Sequence, residues 1–139
     1  MSRSAKSFMD EFQIRGNKMP VVVDYKMQKA AALLVGQYAY ATCDLTIVSV
    51  PLTIVTAFTD ADTVLDIGDN ANTDAYLDSW VIKDVAAGQY DLASSVAVTG
   101  AAGGWITKSV PKGGCFYASI PNVSGTTGLG YGCIVAMPD

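Results

Sequence analysis

The chain has 139 residues, of which 50% are apolar and 16% are charged, and this balance is typical of a folded domain rather than of a disordered chain. The formal net charge is −4. Histidine is absent, and its absence excludes histidine-based catalytic triads, imidazole metal ligands and a histidine pH switch. The single glutamate and the frequent Gly, Thr and Val favour strands and turns over helices.

The charge is unevenly distributed along the chain. Residues 1–29 hold six basic and three acidic side chains, whereas residues 30–139 hold three basic and ten acidic ones. The sequence therefore predicts an N-terminal arm, residues 1–20, on a single domain of residues 21–139. A basic arm on an acidic body is expected to contact an acidic protein surface, on a neighbouring copy or on another protein. Nucleic acid is not an expected partner, because the cations are spread out and interrupted by acids.

The arm also has an apolar pattern. Ala5, Phe8, Met9 and Phe12 recur at the spacing of one helical face. A helix of two to three turns is only marginally stable alone in water. The arm is therefore predicted to be extended, with one short helix that needs a groove to lie in.

No membrane or secretory segment is predicted. The first charges are not followed by the apolar region of a signal peptide. The most apolar stretch, residues 45–58, is interrupted by Pro51 and is shorter than the roughly 20 residues that a membrane helix needs. We expect a soluble protein synthesised in the cytoplasm.

The body begins with a predicted strand, VVVDY at 21–25, whereas residues 26–35 fit either a helix or a pair of short strands. In residues 45–54 the apolar alternation changes phase near Val48, and Pro51 cannot donate to a ladder. This predicts a bulge or bend that divides two strands, or an edge position.

The remaining elements are also short. A strand is predicted at 63–68, followed at 69–78 by a turn and one helical turn capped by Thr73 or Asp74. Turns that contain Gly or Pro separate the later elements, and the fold class is an all-β antiparallel β-sandwich or a jelly-roll-like barrel. Further strands are predicted at 80–83, 89–92, 96–99, 105–110, 115–120 and 129–137.

The aspartate-rich segment 60–78 has two interpretations. It fails the EF-hand pattern, because Ala75 stands where the turn needs Gly and Val81 stands where a bidentate Glu is needed. Solvated turns and caps are one reading, and a calcium site formed by loop oxygens is the other. No cofactor is predicted.

The glycines at 125–132 do not form a nucleotide-binding loop, because they lie in a strand pattern and no helix follows them. They indicate instead a strand that another backbone approaches closely. Catalysis is not expected, because Ser and Cys lack a histidine base and the aspartates lie in turn-like segments.

Two further features leave alternatives open. Cys43, Cys115 and Cys133 are either buried thiols or include a Cys115–Cys133 bridge between neighbouring strands. Trp105 begins a strand after a flexible Ala-Gly segment, so it is either a platform on which a sugar stacks or a core or interface residue.

Residues 58–77 resemble a pattern found in small virion proteins of tailed bacteriophages. A strand that ends in Leu-x-Ile-Gly precedes an Asp-containing turn and a Tyr-Leu pair. AAGQYDL at 86–92 and the Gly-rich strand at 128–137 fit the same layout, so the resemblance covers roughly residues 42–139. The residues that carry it in the first segment are Leu65, Ile67, Gly68, Asp74, Tyr76 and Leu77.

The resemblance implies a β-sandwich that binds other virion proteins without catalysis. The role we expect is a capsid decoration (cement) protein on the capsid surface, bound to the major capsid protein and to other copies of itself as a homotrimer. The alternatives are a tail, neck or fibre component and a carbohydrate-binding adhesin that uses Trp105. The arm lies outside the resemblance, and its expected partner-binding residues are the basic Arg3, Lys6, Arg15 and Lys18 and the apolar Phe8, Met9, Phe12 and Ile14.

Overall fold

The computed structural model describes residues 19–28, 39–59, 63–121 and 126–139. Nearly all regular structure in these residues is strand, as the composition predicts, and one short helix interrupts it. In chain order the elements are β1 Val21–Gln28, β2 Ala39–Tyr40, β3 Leu45–Ser49, β4 Pro51–Thr56, β5 Val64–Gly68, β6 Leu77–Val81, β7 Gly88–Asp91, α1 Leu92–Ser95, β8 Gly104–Trp105, β9 Ser109–Val110, β10 Cys115–Ser119 and β11 Leu129–Pro138.

The first sheet is built around β11, its longest strand. β1 pairs antiparallel along one side of β11, from Val21 opposite Ala136 to Gln28 opposite Leu129. On the other side, β4 pairs with the first half of β11 and β3 with the second half. β7 and β9 extend the sheet beyond β4 and β3. The chain thus brings its first and last described strands together.

β3 and β4 follow one another along β11 and are separated by Val50 alone. Their pairing with β11 shifts register once beside Val135 and once beside Leu129. The predicted division of this segment near Val48 and Pro51 is therefore confirmed, with the break at the buried Val50.

The second sheet has the strand order β2-β10-β5-β6-β8, with antiparallel pairing throughout. The inner faces of the two sheets share one hydrophobic cluster. The predicted all-β antiparallel sandwich is confirmed. Its largest fully buried side chains include Ile47, Leu52 and Ile54 from the first sheet and Leu65, Ile67, Leu77, Trp105 and Phe116 from the second.

The helical turn predicted within residues 69–78 is wrong. The Asp69 carboxylate accepts hydrogen bonds from the main-chain N–H groups of Ala71 (2.9 Å) and Asn72 (2.8 Å), and the Asp69 N–H donates to the Asn72 carbonyl. This side chain therefore closes a tight turn in place of a helix. A second turn follows, in which the Ala75 N–H donates to the Asn72 carbonyl (3.2 Å), and β6 then begins at Leu77, three residues before the predicted start.

The second half of the chain differs from prediction in two more places. Residues 96–99 do not form a strand but make one isolated bridge, from Val98 to Trp105. The predicted strand 105–110 is divided into β8 and β9, which belong to different sheets. Each has two residues, a length at which the apolar pattern is too short to indicate a partner.

The short helix α1 follows β7 where a strand end was predicted. Asp91 caps it, because its carboxylate accepts a hydrogen bond from the Ala93 N–H (3.0 Å). The carbonyl groups of its first two residues also accept side-chain hydrogen bonds, that of Leu92 from the indole Nε1–H of Trp105 (2.9 Å) and that of Ala93 from the Lys108 ammonium. The helix thus links β7, an edge of the first sheet, to Trp105 in the edge strand β8 of the second sheet and to Lys108 after it.

Gly132 in β11 meets the expectation of a closely approached strand. A Cβ at this position would lie 2.5 Å from Cζ of Tyr25 and 2.6 Å from the Pro51 carbonyl oxygen. The Tyr25 ring on β1 thus lies against a residue that has no side chain.

In the described part of the chain, none of the helices has the length and apolar character of a membrane span.

Candidate interaction surface

The side of the first sheet that points away from the core carries an apolar row along β11, between polar residues of β1 (Asp24, Lys26, Gln28) and the threonines Thr46 and Thr53 of β3 and β4. Directly opposed residues of antiparallel strands share a face, and alternate residues along β11 lie on opposite faces. Ile134 and Ala136 are buried inside. The alternate set of β11 therefore lies on the other side, which we call the outer face, and consists of Leu129, Tyr131, Cys133, Val135 and Met137.

The neighbouring strands extend this apolar row sideways. Val22 of β1 lies opposite Val135, and Val48 and Val55 stand at the two register shifts of β3 and β4. Each bulge adds one residue to its strand, and here the added valine is exposed. Val22, Val48, Val55 and Tyr131 are each between 46% and 55% exposed, so this side presents four large hydrophobic residues to solvent.

The outer face carries few charges, and the two on β1 are of opposite sign. Asp24 lies opposite Cys133 and Lys26 lies opposite Tyr131. The Lys26 ammonium stands 5.8 Å from the centre of the Tyr131 ring, within the range of a cation–π contact. A tyrosine held beside a cation in an exposed apolar row is typical of a protein-binding surface.

An acidic corner lies at one end of the outer face, next to the last residues of β11. An open depression of about 280 Å³ there is lined by Asp44, Leu45, Ser109, Val110, Pro111 and Asp139. Asp139 accepts a hydrogen bond from the Thr46 hydroxyl, and Asp44 accepts one from the Lys112 N–H (2.9 Å). β1 begins at the same end of the sheet, because Val21 pairs with Ala136.

Asp66 is the buried carboxylate of the aspartate-rich segment. It is 4% exposed and accepts a hydrogen bond from the Ser79 N–H (2.7 Å). Opposite it, Asp78 and Ser79 form a bulge in β6, and Ser79 has a φ of 53°. The bulge leaves the N–H of Ser79, whose backbone is left-handed, outside the ladder. The Asp66 carboxylate accepts this hydrogen bond instead.

The pKa of Asp66 is raised to about 6, chiefly by burial and also by the charges of Asp74 and Asp78, against the Ser79 hydrogen bond, which lowers it. Within the described ranges, which omit Asp60 and Asp62, the acidic and cysteine side chains form no group of three that could hold a metal ion. The described residues of this segment form β5, the turn closed by Asp69 and the start of β6.

The structure corrects the sugar-platform hypothesis for Trp105. The ring is completely buried, its Nε1–H donates to Leu92, and the Lys108 ammonium lies 5.6 Å from the ring centre. A sugar needs an exposed aromatic face on which to stack, and this ring has none. Trp105 is a core residue.

The cysteines are all free thiols. Cys115 lies in β10 of the second sheet, whereas Cys133 lies on the outer face of the first. The suggested Cys115–Cys133 bridge is therefore absent, because the two residues belong to different sheets rather than to neighbouring strands.

The arm residues predicted to bind a partner lie outside the described residues. The outer face was not among the sites predicted from the sequence. A usable signal was present, since both alternate sets of β11 contain apolar residues, whereas a strand with one solvated face alternates with polar ones.

Comparison with known proteins adds one coarse similarity. No protein-family model matches the chain, and no curated protein matches it. Among solved structures, a chain of the "Cyanophage Pam1 capsid asymmetric unit" is similar at a TM-score of 0.44 and 12% identity, over 86% of this chain and 85% of that chain. A similarity of this size does not assign a function, and the surface of the chain itself is the stronger guide.

Proposed function

We propose that this chain is a non-enzymatic structural protein of a phage virion, specifically a capsid decoration (cement) protein. In this role it binds the major capsid protein on the outside of the head and contacts other copies of itself. The observation that carries the proposal is the apolar row of β11 on the outer face, together with the exposed Val22, Val48, Val55 and Tyr131, where a protein acting alone would be expected to present polar side chains.

The body suits such a role physically. Its two sheets enclose one apolar core, and the helix α1 is tied to residues of both halves of the chain by the hydrogen bonds of Asp91, Trp105 and Lys108. A rigid body loses little conformational freedom when it binds, which favours contacts that must hold under load.

The arm would add a second point of attachment. Its basic and apolar side chains remain the predicted anchors, with Phe8 and Phe12 as the largest of them. Two linked contacts raise the overall affinity through effective concentration without new interactions at either site. A ring of three copies would provide this arrangement with closed symmetry.

The resemblance of residues 58–77 to small virion proteins supports the same role. The structural similarity to a phage capsid chain agrees with it, while the surface of the chain carries the proposal. No cofactor and no nucleic acid is needed for this function.

Quantitative mass spectrometry of purified particles, with heads and tails separated, tests the proposal. We expect the chain in tail-free heads, at a copy number proportional to that of the major capsid protein. A few copies in the tail fraction would replace cement by a tail, neck or fibre component. Absence from both fractions would overturn the virion role.

A binding experiment then tests the surface. Val22 and Val81 are both strand valines more than half exposed, but Val22 lies on the outer face and Val81 lies on β6 of the second sheet. Val22→Asp is expected to weaken binding to undecorated shells, and Val81→Asp is expected to leave it unchanged. Equal binding by both variants would remove the outer face from the proposal.

A further inference from the structure

We propose that residues 1–18 of one copy of the chain bind to the outer face of a second copy. The inference rests on the proposed function in taking the outer face as a binding surface, and it names the occupant. The pairing is directional, from arm to face, so that each copy offers one arm and accepts another.

The apolar patterns of the two partners match. The arm presents Phe8, Met9 and Phe12 at helical spacing, and the outer face presents an apolar row along β11 flanked by valines. The apolar row from Leu129 to Met137 is about 26 Å long, and an arm of 18 residues spans about 27 Å even when helical throughout and more where it is extended. The arm is thus long enough to cover the apolar row, and the row gives an otherwise marginal helix a surface on which to fold.

The charges are complementary as well. Residues 1–18 contain four basic and two acidic side chains. The outer face offers Asp24, two residues from Lys26, at its middle and the acidic corner, with Asp44 and Asp139, at its end. Basic groups of the arm can therefore reach carboxylates at the edges of an apolar contact, which is where charged pairs guide association.

The exit of the arm from the body favours a second copy over the same one. Met19, the first described residue, is 56% exposed and precedes Pro20, and proline disfavours helical backbone at the residue before it. Val22, the outer-face residue nearest this exit, is exposed too. The outer face is therefore open to solvent at the start of β1, where the arm of a second copy can reach it.

Sedimentation velocity of the full chain over a range of concentrations tests the proposal. Three full-length variants are compared with the wild type: an arm variant (Phe8→Asp with Phe12→Asp), a face variant (Val22→Asp) and a control (Val81→Asp). We expect the wild type and the control to self-associate. We expect the dissociation constants of the arm and face variants to be at least about thirtyfold higher than that of the wild type, which is the effect of losing one hot-spot residue.

The decisive step is to mix the arm variant with the face variant. One has an intact face and the other an intact arm, so the mixture should form a one-to-one complex that neither variant forms alone. Tyr131→Asp provides a second face variant, and far-ultraviolet circular dichroism verifies that each variant is folded.

Three results would overturn the proposal. A wild type that stays monomeric at all concentrations excludes the contact between copies and leaves the arm to its own body or to another protein. Loss of association in the face variant alone would indicate that two outer faces pack on each other. A mixture that fails to associate would exclude the directional pairing. Detection of the chain in particles is independent of these results, so failure of the proposed function and failure of the inference are distinguishable.

Discussion

The carboxylate of Asp91 accepts a hydrogen bond of 2.9 Å from the main-chain N–H of Val50, the residue that separates β3 from β4. The same carboxylate accepts the Ser49 hydroxyl (2.8 Å) and the Ala93 N–H at the start of α1. One side chain thus accepts hydrogen bonds both from the main chain between β3 and β4 and from the first turn of α1.

Replacing Asp91 therefore affects two elements at once. Asp91→Ala should lower the free energy of unfolding by roughly 2–4 kcal/mol, because the cap is lost and the N–H of the buried Val50 is left without a partner. Asp91→Asn keeps one acceptor oxygen for the two N–H groups and should recover part of the loss. Chemical denaturation of the three proteins measures this order, and equal stability of the Ala variant and the wild type would contradict it.

The ionisation of Asp91 adds a pH dependence. Partial burial raises its pKa, but the hydrogen bonds from Val50, Ser49 and Ala93 and the charge of Lys108 outweigh burial, so that the pKa lies below its ordinary value. Its contribution to stability is then present above the unfolded pKa and is lost as the pH falls through the lower folded value. The stability difference between the wild type and Asp91→Asn should shrink under acid conditions.

Asp66 should have the opposite pH dependence. Its folded pKa of about 6 is above the unfolded value, so the folded state binds the proton more tightly. The contribution of Asp66 to the free energy of unfolding is fully present below the unfolded pKa and is lost as the pH rises through about 6. Asp66→Asn, which keeps an acceptor for the Ser79 N–H, should therefore be more stable than the wild type at pH 7, by up to about 3 kcal/mol.

Thermal or urea unfolding of the wild type and Asp66→Asn from pH 4 to pH 8 measures this difference. The advantage of the variant should disappear near pH 4, where the wild-type carboxyl is protonated. A difference that stays constant over the whole range would mean that Asp66 titrates normally.

Gly68 is expected to tolerate no side chain. A Cβ there would overlap the main-chain carbonyl groups of Asn72 and Thr73, because the loop after β5 folds back across the strand end. Gly68→Ala must displace this loop and should cost about 1–3 kcal/mol or more. Gly103 is the control: it has a φ of 90° but open space around it, so Gly103→Ala measures backbone strain alone.

Equilibrium denaturation of the two glycine variants compares the effects. A larger loss at Gly68 supports the steric explanation, which also gives a physical reason for the Leu-x-Ile-Gly element. A larger loss at Gly103 would show that the loop moves aside at little cost.

The buried indole of Trp105 should contribute through its N–H as well as through its volume. Trp105→Phe removes the hydrogen bond to Leu92 and part of the packing, and should lower the free energy of unfolding by roughly 2–4 kcal/mol. Trp80→Phe is the matched control, since Trp80 is only partly buried. In the wild type, the fluorescence of Trp105 should resist quenching by acrylamide, and efficient quenching of the emission remaining in Trp80→Phe would contradict the burial.

Several features of the fold follow from local sequence. The strands at 64–68, 115–119 and 129–138 match their predicted positions closely, because apolar alternation and bounding turns are properties of neighbouring residues. The break at Pro51 was predictable for the same reason, since proline cannot donate to a ladder wherever its strand lies.

Other features depend on residues distant in sequence. The helix α1 was not predicted, because the carboxylate that caps it is also held by Ser49 and Val50, some forty residues earlier. Trp105 is a core residue rather than a platform because the fold brings the Leu92 carbonyl to its indole N–H.

The sequence by itself determined that the domain is all-β, where its main strands lie, and that a basic arm precedes an acidic body. The tertiary structure decided which strands share a sheet and therefore which apolar residues remain outside. β11 has apolar residues on both of its faces, and local pattern cannot tell which set is buried. The second sheet packs against Ile134 and Ala136, and this packing leaves Tyr131 and Val135 on the outer face.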